Sequence, residues 1–260
     1  MKFISILTDF GIDQEYPAVC KAVILSICPS AVIVDISHTV PSYDIEEGAF
    51  MLKNFIKYAP VGVHVAVIDP GVGTQRRGIA IATRRGDFLV GPDNGVLMEA
   101  AHFLRIEKVA VLEDKEYMLE KVYSSFHGRD IFAPAAAHLL KGVPITALGR
   151  MLDIKELVHV PRLPPSEDET AIYGTVLRID RFGNIQTTID AEIVPKKPAL
   201  TMRIGEKELT LPFVKTFGEV GPGACLVYED SDGLITLSQN QGDASRLLGA
   251  EKRMEVLIFK

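Results

Sequence analysis

The residues best placed to do chemistry lie in three short stretches. "LTDFG" (7–11) carries Asp9, "VIDPGVGTQRR" (67–77) carries Asp69 and Arg76, and "SSFHGRDIFAP" (124–134) carries His127, Arg129 and Asp130. An aspartate, an arginine and a histidine form a set that can hold or move a proton on oxygen. A guanidinium stays charged and only donates hydrogen bonds, so Arg76 can hold a developing oxyanion but cannot generate one. An imidazole titrates at about pH 6.5, which makes His127 the natural proton acceptor. Asp69 can orient either partner and balance the local charge. Each residue also has a plainer reading. Asp before Phe-Gly or Pro-Gly forms turns, and Arg129–Asp130 reads as an ion pair at a helix start.

Such a set works only if the fold gathers it. Apolar runs at 3–10, 31–37, 63–71, 78–83, 88–92 and 108–114 read as strands, several of them apolar at nearly every position, as in a sheet buried on both faces. Between them 16–28, 44–58, 94–104 and 129–141 carry helical periodicity. The alternation predicts an α/β domain with a mostly parallel sheet and helices on both faces. Asp9, Asp69 and the Asp93–Asn94 turn then fall at strand carboxyl ends, where open α/β sheets bind ligands.

The texture changes at "HVPRLPPSEDET" (159–170), whose Pro and acidic residues suit a linker. Beyond it come short strands separated by turns, consistent with a small antiparallel barrel or sandwich. The expected division is an α/β domain over 1–158, a linker over 159–170 and an all-β domain over 171–260.

Composition narrows the function. The chain has 260 residues, 47% hydrophobic and 24% charged, with a formal net charge of −6. Its Lys and Arg are scattered, which argues against a nucleic-acid partner. No apolar stretch approaches a membrane span, and the N-terminal residues lack a signal-peptide pattern, so the expected address is the cytoplasm. Three cysteines show neither metal spacing nor a disulfide framework. Zinc, phosphate-loop and serine-hydrolase motifs are absent, and "GVGTQR" fails the dinucleotide fingerprint at Arg76. No metal and no cofactor are expected. His38, His64, His102 and His138 sit in or beside apolar segments and read as structural.

Together, "LTDFG", "DPGVGTQRR", "PDNG", "FHGRDIFAPAAAHL" and "DRFGN", in this order and spacing, resemble the S-adenosyl-L-methionine (SAM) hydroxide adenosyltransferase family, the adenosine-forming SAM hydrolases related to fluorinase and chlorinase. The resemblance covers essentially the whole chain. It implies that Asp69, Arg76 and His127 form the reacting group, which returns Arg129 and Asp130 to the ion-pair role. It implies that Asp9 clasps the ribose diol with Tyr43 nearby, and Asn94 is counted with the substrate-binding set. Asp180 would meet the ammonium of the methionine part and Ser231 its carboxylate. Phe182 and Phe217 would flank the adenine, with Asn184 close by and the loop around Asn240 reading the adenine edge. The resemblance further implies a homotrimer with sites between subunits and SAM as the small-molecule partner.

Within that group, a fluorinase carries tyrosines where this chain has Asp69 and His127, and a serine where it has Gly128. A carboxylate at 69 would repel halide, so hydrolysis is favoured over halide transfer. A non-catalytic SAM or adenosine sensor would share the binding residues without needing the Asp–Arg–His set. The chain departs from the family pattern at Thr188, Asp232 and Gln186, which bear on contacts to adenine and the methionine carboxylate.

Overall fold

The computed structural model describes residues 2–161 and 164–260; Arg162 and Leu163, within the expected linker, lie outside the described residues. The chain forms two compact units, 1–161 and 162–260.

The first unit contains β1 (Phe3–Thr8), α1 (Tyr16–Ile27), β2 (Val32–Ser37), α2 (Ile45–Ile56), β3 (Val63–Val67), β4 (Gly78–Thr83), β5 (Phe88–Pro92), α3 (Met98–Leu104), β6 (Ile106–Val111) and α4 (Ala133–Leu140). Its sheet has the order β2-β1-β3-β5-β4-β6. The first four of these are mutually parallel. β4 runs against both β5 and β6. Only residues 84–87 join β4 to β5, too few for a crossover, so the two strands must form a hairpin.

Alternation along the buried strands splits the core into two layers. Ile4, Ile6, Val63 and Val65 pack with Ile24 of α1 and Ala136 of α4 on one face. Leu7, Ala66 and Ile81 pack with Leu52 of α2 and Ala101 of α3 on the other. Burial of both faces leaves β1 and β3 without exposed positions. His64 on β3 is therefore fully buried, and must be paired. Ser5 Oγ lies 2.8 Å from its Nδ1 and Asp87 Oδ1 3.2 Å from its Nε2. Arg85 donates to Asp87 from Nε and Nη2, completing a network at the edge of the sheet opposite the strand tips described below. His64 is structural, as expected.

The second unit contains β7 (Ser166–Glu167), β8 (Ala171–Ile179), β9 (Ile185–Asp190), β10 (Ala199–Ile204), β11 (Lys207–Pro212), β12 (Cys225–Glu229), β13 (Leu234–Gln239), α5 (Ala244–Leu248) and β14 (Glu255–Phe259). Its sheet runs β11-β10-β14-β8-β9-β13-β12, antiparallel at every step. Past the end of β11, Val214 N–H donates to Val227 O of β12 at 2.9 Å, bringing the two edges together and nearly closing a barrel. Met202, Ile235, Leu237 and Val256 fill its interior.

Candidate active site

Because β1 and β3 are parallel neighbours with Thr8 opposite Val67, the residues that follow them emerge at one edge of the sheet. Those residues carry Asp9 and Asp69. Asp9 Oδ2 accepts from the backbone N–H of Tyr43 at 2.9 Å. Tyr43 holds a left-handed backbone with φ of 67°, costly for a residue with a side chain and common where a site demands it. Asp44 then caps α2, accepting from Glu47 N–H at 3.0 Å.

After Asp69 the chain makes two tight turns and delivers Arg76. A Cβ on Gly73 would lie 2.4 Å from Ser124 O, so glycine there lets the 124–127 segment approach. Arg76 forms a two-pronged pair with Asp69: Nε donates to Oδ1 at 3.0 Å and Nη2 to Oδ2. Their side chains are 8% and 6% exposed, a buried ion pair. The guanidinium carbon lies 5.3 Å from the centroid of the Phe132 ring, and Nη2 also lies 3.1 Å from His127 Nδ1. The next residue, Arg77, is tied to Asp93 by an Nε to Oδ2 bond of 2.8 Å. Asp93, at the tip of β5, thus anchors the loop that carries Arg76.

His127 opens a π-helical turn, Gly128–Phe132, that leads into α4. Ala133 N–H reaches back five residues to Gly128 O. Pro134 has no N–H to offer Asp130 O, and Leu119 N–H takes that carbonyl at 2.9 Å. Such wide turns are frequent at functional sites, and this one carries His127, Gly128 and Phe132 at once. Arg129 pairs with fully buried Asp130 at 2.6 Å, and Asp130 also accepts from Tyr123 N–H at 2.8 Å. These two residues have the structural role expected of them.

Asp9, Tyr43, Asp69 and His127 line one cavity of about 270 Å³, with Arg76 linked to both Asp69 and His127. Its other walls include Phe10, Tyr16 and Phe126, which the motif reading passed over although two of them stand beside Asp9 and His127 in the sequence. Asn94 is not on this wall. Its Nδ2 donates to Ile68 O at 2.8 Å and its Oδ1 accepts from Val96 N–H at 3.2 Å, so it ties the end of β3 to the start of α3.

Burial pushes the Asp69 carboxyl up, with Arg76 offsetting part of that rise. Burial also pushes His127 down, and the Arg76 charge adds to this against the pull of Asp69 and Asp130. The imidazole is therefore neutral at neutral pH. Arg76 can only donate, so His127 Nδ1 accepts and the ring proton sits on Nε2. In this tautomer the other ring nitrogen, Nε2, is a donor.

In the second unit the "DRFGN" hairpin is built around Asp180. Its Oδ1 accepts from Phe182 N–H at 2.8 Å and Asn184 N–H at 3.0 Å, and its Oδ2 from Asn184 Nδ2 at 2.7 Å. Asp180, Asn184 and Ser231 share a polar cavity of about 230 Å³ with Gln186, Asp230 and Asp232. Phe182, 75% exposed, and Phe217 lie off its walls. So does Asn240, whose Nδ2 donates to Val220 O at 2.8 Å and braces the loop before β12. Among the described residues, no group of three or more His, Cys, Asp or Glu side chains is placed to hold a metal ion, and no helix is long and apolar enough to cross a membrane.

The motifs behind this geometry extend to other proteins. Residues 4–149 match the family model described as SAM hydroxide adenosyltransferase N-terminal domain, and 174–257 match its C-terminal domain. A relative from Salinispora tropica, named (R)-S-adenosyl-L-methionine hydrolase, is 38% identical over 95% of this chain and 94% of its own. One of the same name from Thermus thermophilus is 37% identical over the full length of both chains. A fluorinase from Nocardia brasiliensis is 29% identical over 91% of this chain and 90% of its own. The crystal structure of an uncharacterized conserved protein from Thermotoga maritima superposes with a TM-score of 0.91 at 35% identity, covering 98% of this chain and 99% of that one. Matches to both halves in order, and relatives spanning both units, bear out the resemblance read from the motifs: the chain belongs to the SAM hydroxide adenosyltransferase family.

Proposed function

We propose that this protein hydrolyses SAM at C5′ of its ribose, giving adenosine and L-methionine. The observation that carries this reading is the connected Asp69–Arg76–His127 network, two of whose members line the cavity that Asp9 also lines.

SAM is a sulfonium, so C5′ is an electrophile with a neutral thioether leaving group. No departing anion needs stabilising, and the reaction as proposed needs no cofactor. The protein has to supply an oxygen nucleophile in a dry pocket. As oxygen attacks, the O–C5′ bond forms, the C5′–S bond breaks with its electron pair on sulfur, and water gives up one proton. Arg76 and His127 Nε2–H hold the developing hydroxide by hydrogen bonds, the cationic donor being the stronger. Asp69, its proton affinity raised by burial, is the neighbouring group able to take the proton.

Asp9 accepts from the ribose hydroxyls, since a carboxylate with one backbone partner keeps lone pairs free. Tyr43 packs beside the sugar. Asp180 receives the methionine ammonium, Ser231 the carboxylate, and Phe182, Asn184, Phe217 and the loop around Asn240 frame the adenine. Asn94 contributes by fixing the end of β3. Sites form between subunits of a homotrimer, each unit of the chain carrying half of the binding set.

The fluorinase likeness raises halide transfer as a second reading, but the Asp69 carboxylate on the cavity wall would repel an incoming halide. The test is to incubate purified protein with SAM, with and without excess chloride, and weigh the products. Equimolar adenosine and methionine, indifferent to chloride, would support hydrolysis. A 5′-chloro product would favour halide transfer, and tight binding without turnover would leave a sensor.

A further inference from the structure

Phe10, Tyr16 and Phe126 belong to no catalytic pair, yet they form a continuous wall of the cavity lined by Asp69 and His127. Their rings meet edge to face: Phe10 to Phe126 at 5.7 Å, Tyr16 to Phe126 at 5.3 Å and Phe10 to Tyr16 at 6.3 Å between centroids. The wall is braced from behind. The Arg129 guanidinium sits 4.9 Å over Phe126 and is itself held by buried Asp130. Phe10 is pinned through its backbone, its N–H donating to Thr8 Oγ1 at 3.3 Å and the next N–H, of Gly11, to His38 O at 2.7 Å. The wall also presses on the residue after His127. A Cβ on Gly128 would lie 3.0 Å from Phe10 Cζ and 3.6 Å from Phe126 Cε2, so a single added carbon there already meets the rings.

We infer that Phe10, held by Tyr16 and Phe126, sets the size limit on the attacking nucleophile, admitting one oxygen and rejecting a nucleophile with a further heavy atom. The inference rests on the proposed attack at C5′. Edge-to-face neighbours on two sides leave the Phe10 ring more restricted than a lone side chain would be, and forcing a further heavy atom against it is costly. Phe10 and Phe126 offer the nucleophile no hydrogen bond, leaving it to the polar cluster. Arg129 and Asp130 thereby gain a second consequence: through Phe126 they stiffen the wall of the reaction cavity.

Methanol is the probe. It attacks as water does: its oxygen bonds to C5′, the C5′–S electron pair goes to sulfur, and its proton follows the route of water's. The product is 5′-O-methyladenosine. Wild type, Phe10→Ala and Phe10→Leu are incubated with SAM in a tenth volume of methanol, and ether and adenosine are weighed from the same reaction. Their ratio does not depend on how much protein is folded. The wild type should form at least about tenfold less ether than the methanol-to-water mole ratio allows. Phe10→Ala should raise the ratio about 10- to 100-fold and Phe10→Leu less. Phe10→Leu retains apolar volume, so it keeps the test alive if the alanine variant fails to fold. Ether from the wild type at the mole ratio, or variants that hydrolyse SAM with no gain in ether, would overturn the inference alone. No 5′ product of any kind from the wild type would overturn the hydrolase reading and this inference with it.

Discussion

Replacing Asp69 by Asn keeps the shape of the side chain and removes its charge. Arg76, 8% exposed, then loses its carboxylate partner and one arm of a two-pronged hydrogen bond. Breaking a buried ion pair by removing one partner costs about 3–5 kcal/mol. Asn keeps a carbonyl that can still accept from Nε, so the lower end, about 3 kcal/mol, applies. In a chain of this size that corresponds to a fall in Tm of about 6–12 °C. The effect on chemistry is separate. Arg76 Nη2 is shared between Asp69 and His127, so freeing the guanidinium misplaces the donor and releases the histidine tautomer together. Loss of one preorganised oxyanion donor lowers kcat by about 10²–10³-fold, and the Asn amide cannot take the proton assigned to Asp69, so the loss should be at least that large. The assay is kcat from adenosine release, with Tm and SAM affinity measured on the same preparation well below the variant's Tm. SAM affinity should change little, because Asp9 and the second unit are intact. A kcat within about tenfold of wild type, alongside a lowered Tm, would show that the pair is structural and refute its place in the reaction.

His127→Ala should lower kcat by about 10²–10³-fold as the loss of an oxyanion donor, and His127→Gln, which retains a donor, should recover part of that loss; equal loss in both variants would point to proton acceptance instead. In wild type the acid limb of kcat/KM should have its midpoint below about 6.5, because burial and Arg76 hold His127 neutral, and a midpoint above that value would contradict the arrangement. Asp9→Ala should weaken SAM and adenosine by the same factor, about 10- to 100-fold in calorimetry, and unchanged affinity for both would remove Asp9 from the ribose. Asp87 is held low through its bonds to His64 and Arg85 although burial opposes this, so its stabilisation is present above the unfolded carboxylate value of about 3.9 and lost as pH falls below it. Asp87→Asn should therefore lower stability at neutral pH by about 3 kcal/mol, with the gap to wild type closing in acid melts; a gap independent of pH would contradict the linkage. With sites shared between subunits, mixing and refolding Asp9→Ala with Asp180→Ala chains should restore wild-type SAM affinity in a fraction of sites, and no recovery in mixed oligomers would contradict shared sites.

The strands of both units were legible because their residues announce their burial. "FISILT" and "VHVAV" have no polar face to show solvent, and the second unit's short apolar runs, some alternating as in "ALTMRI", stand between obvious turns. The reversed strand β4 was implicit in the short link from 83 to 88, too brief for a crossover. The candidate residues Asp69, Arg76 and His127 were legible by type and by motif. Their bonding was not. That Arg76 would occupy His127 Nδ1 depends on Gly73 allowing the 124–127 segment within reach, and on a π turn that no propensity signals. The bonding of Asn94 was not legible, because an Asp-Asn-Gly turn looks the same whether its side chain faces a ligand or, as here, its own backbone. The aromatic wall went unread because positions 10, 16 and 126 converge only in three dimensions. The α5 turn is short and held by its Asp243 cap, whose carboxylate accepts from Arg246 N–H at 2.9 Å, rather than by any periodicity.

The central claim is that water, held at Arg76 and His127, attacks C5′ of SAM. The most direct measurement is turnover in ¹⁸O-labelled water with the nucleoside product analysed by mass. The account predicts adenosine with one ¹⁸O, located on the 5′ carbon, and unlabelled methionine. Label in the methionine carboxylate, or a 5′ product without ¹⁸O, would contradict it.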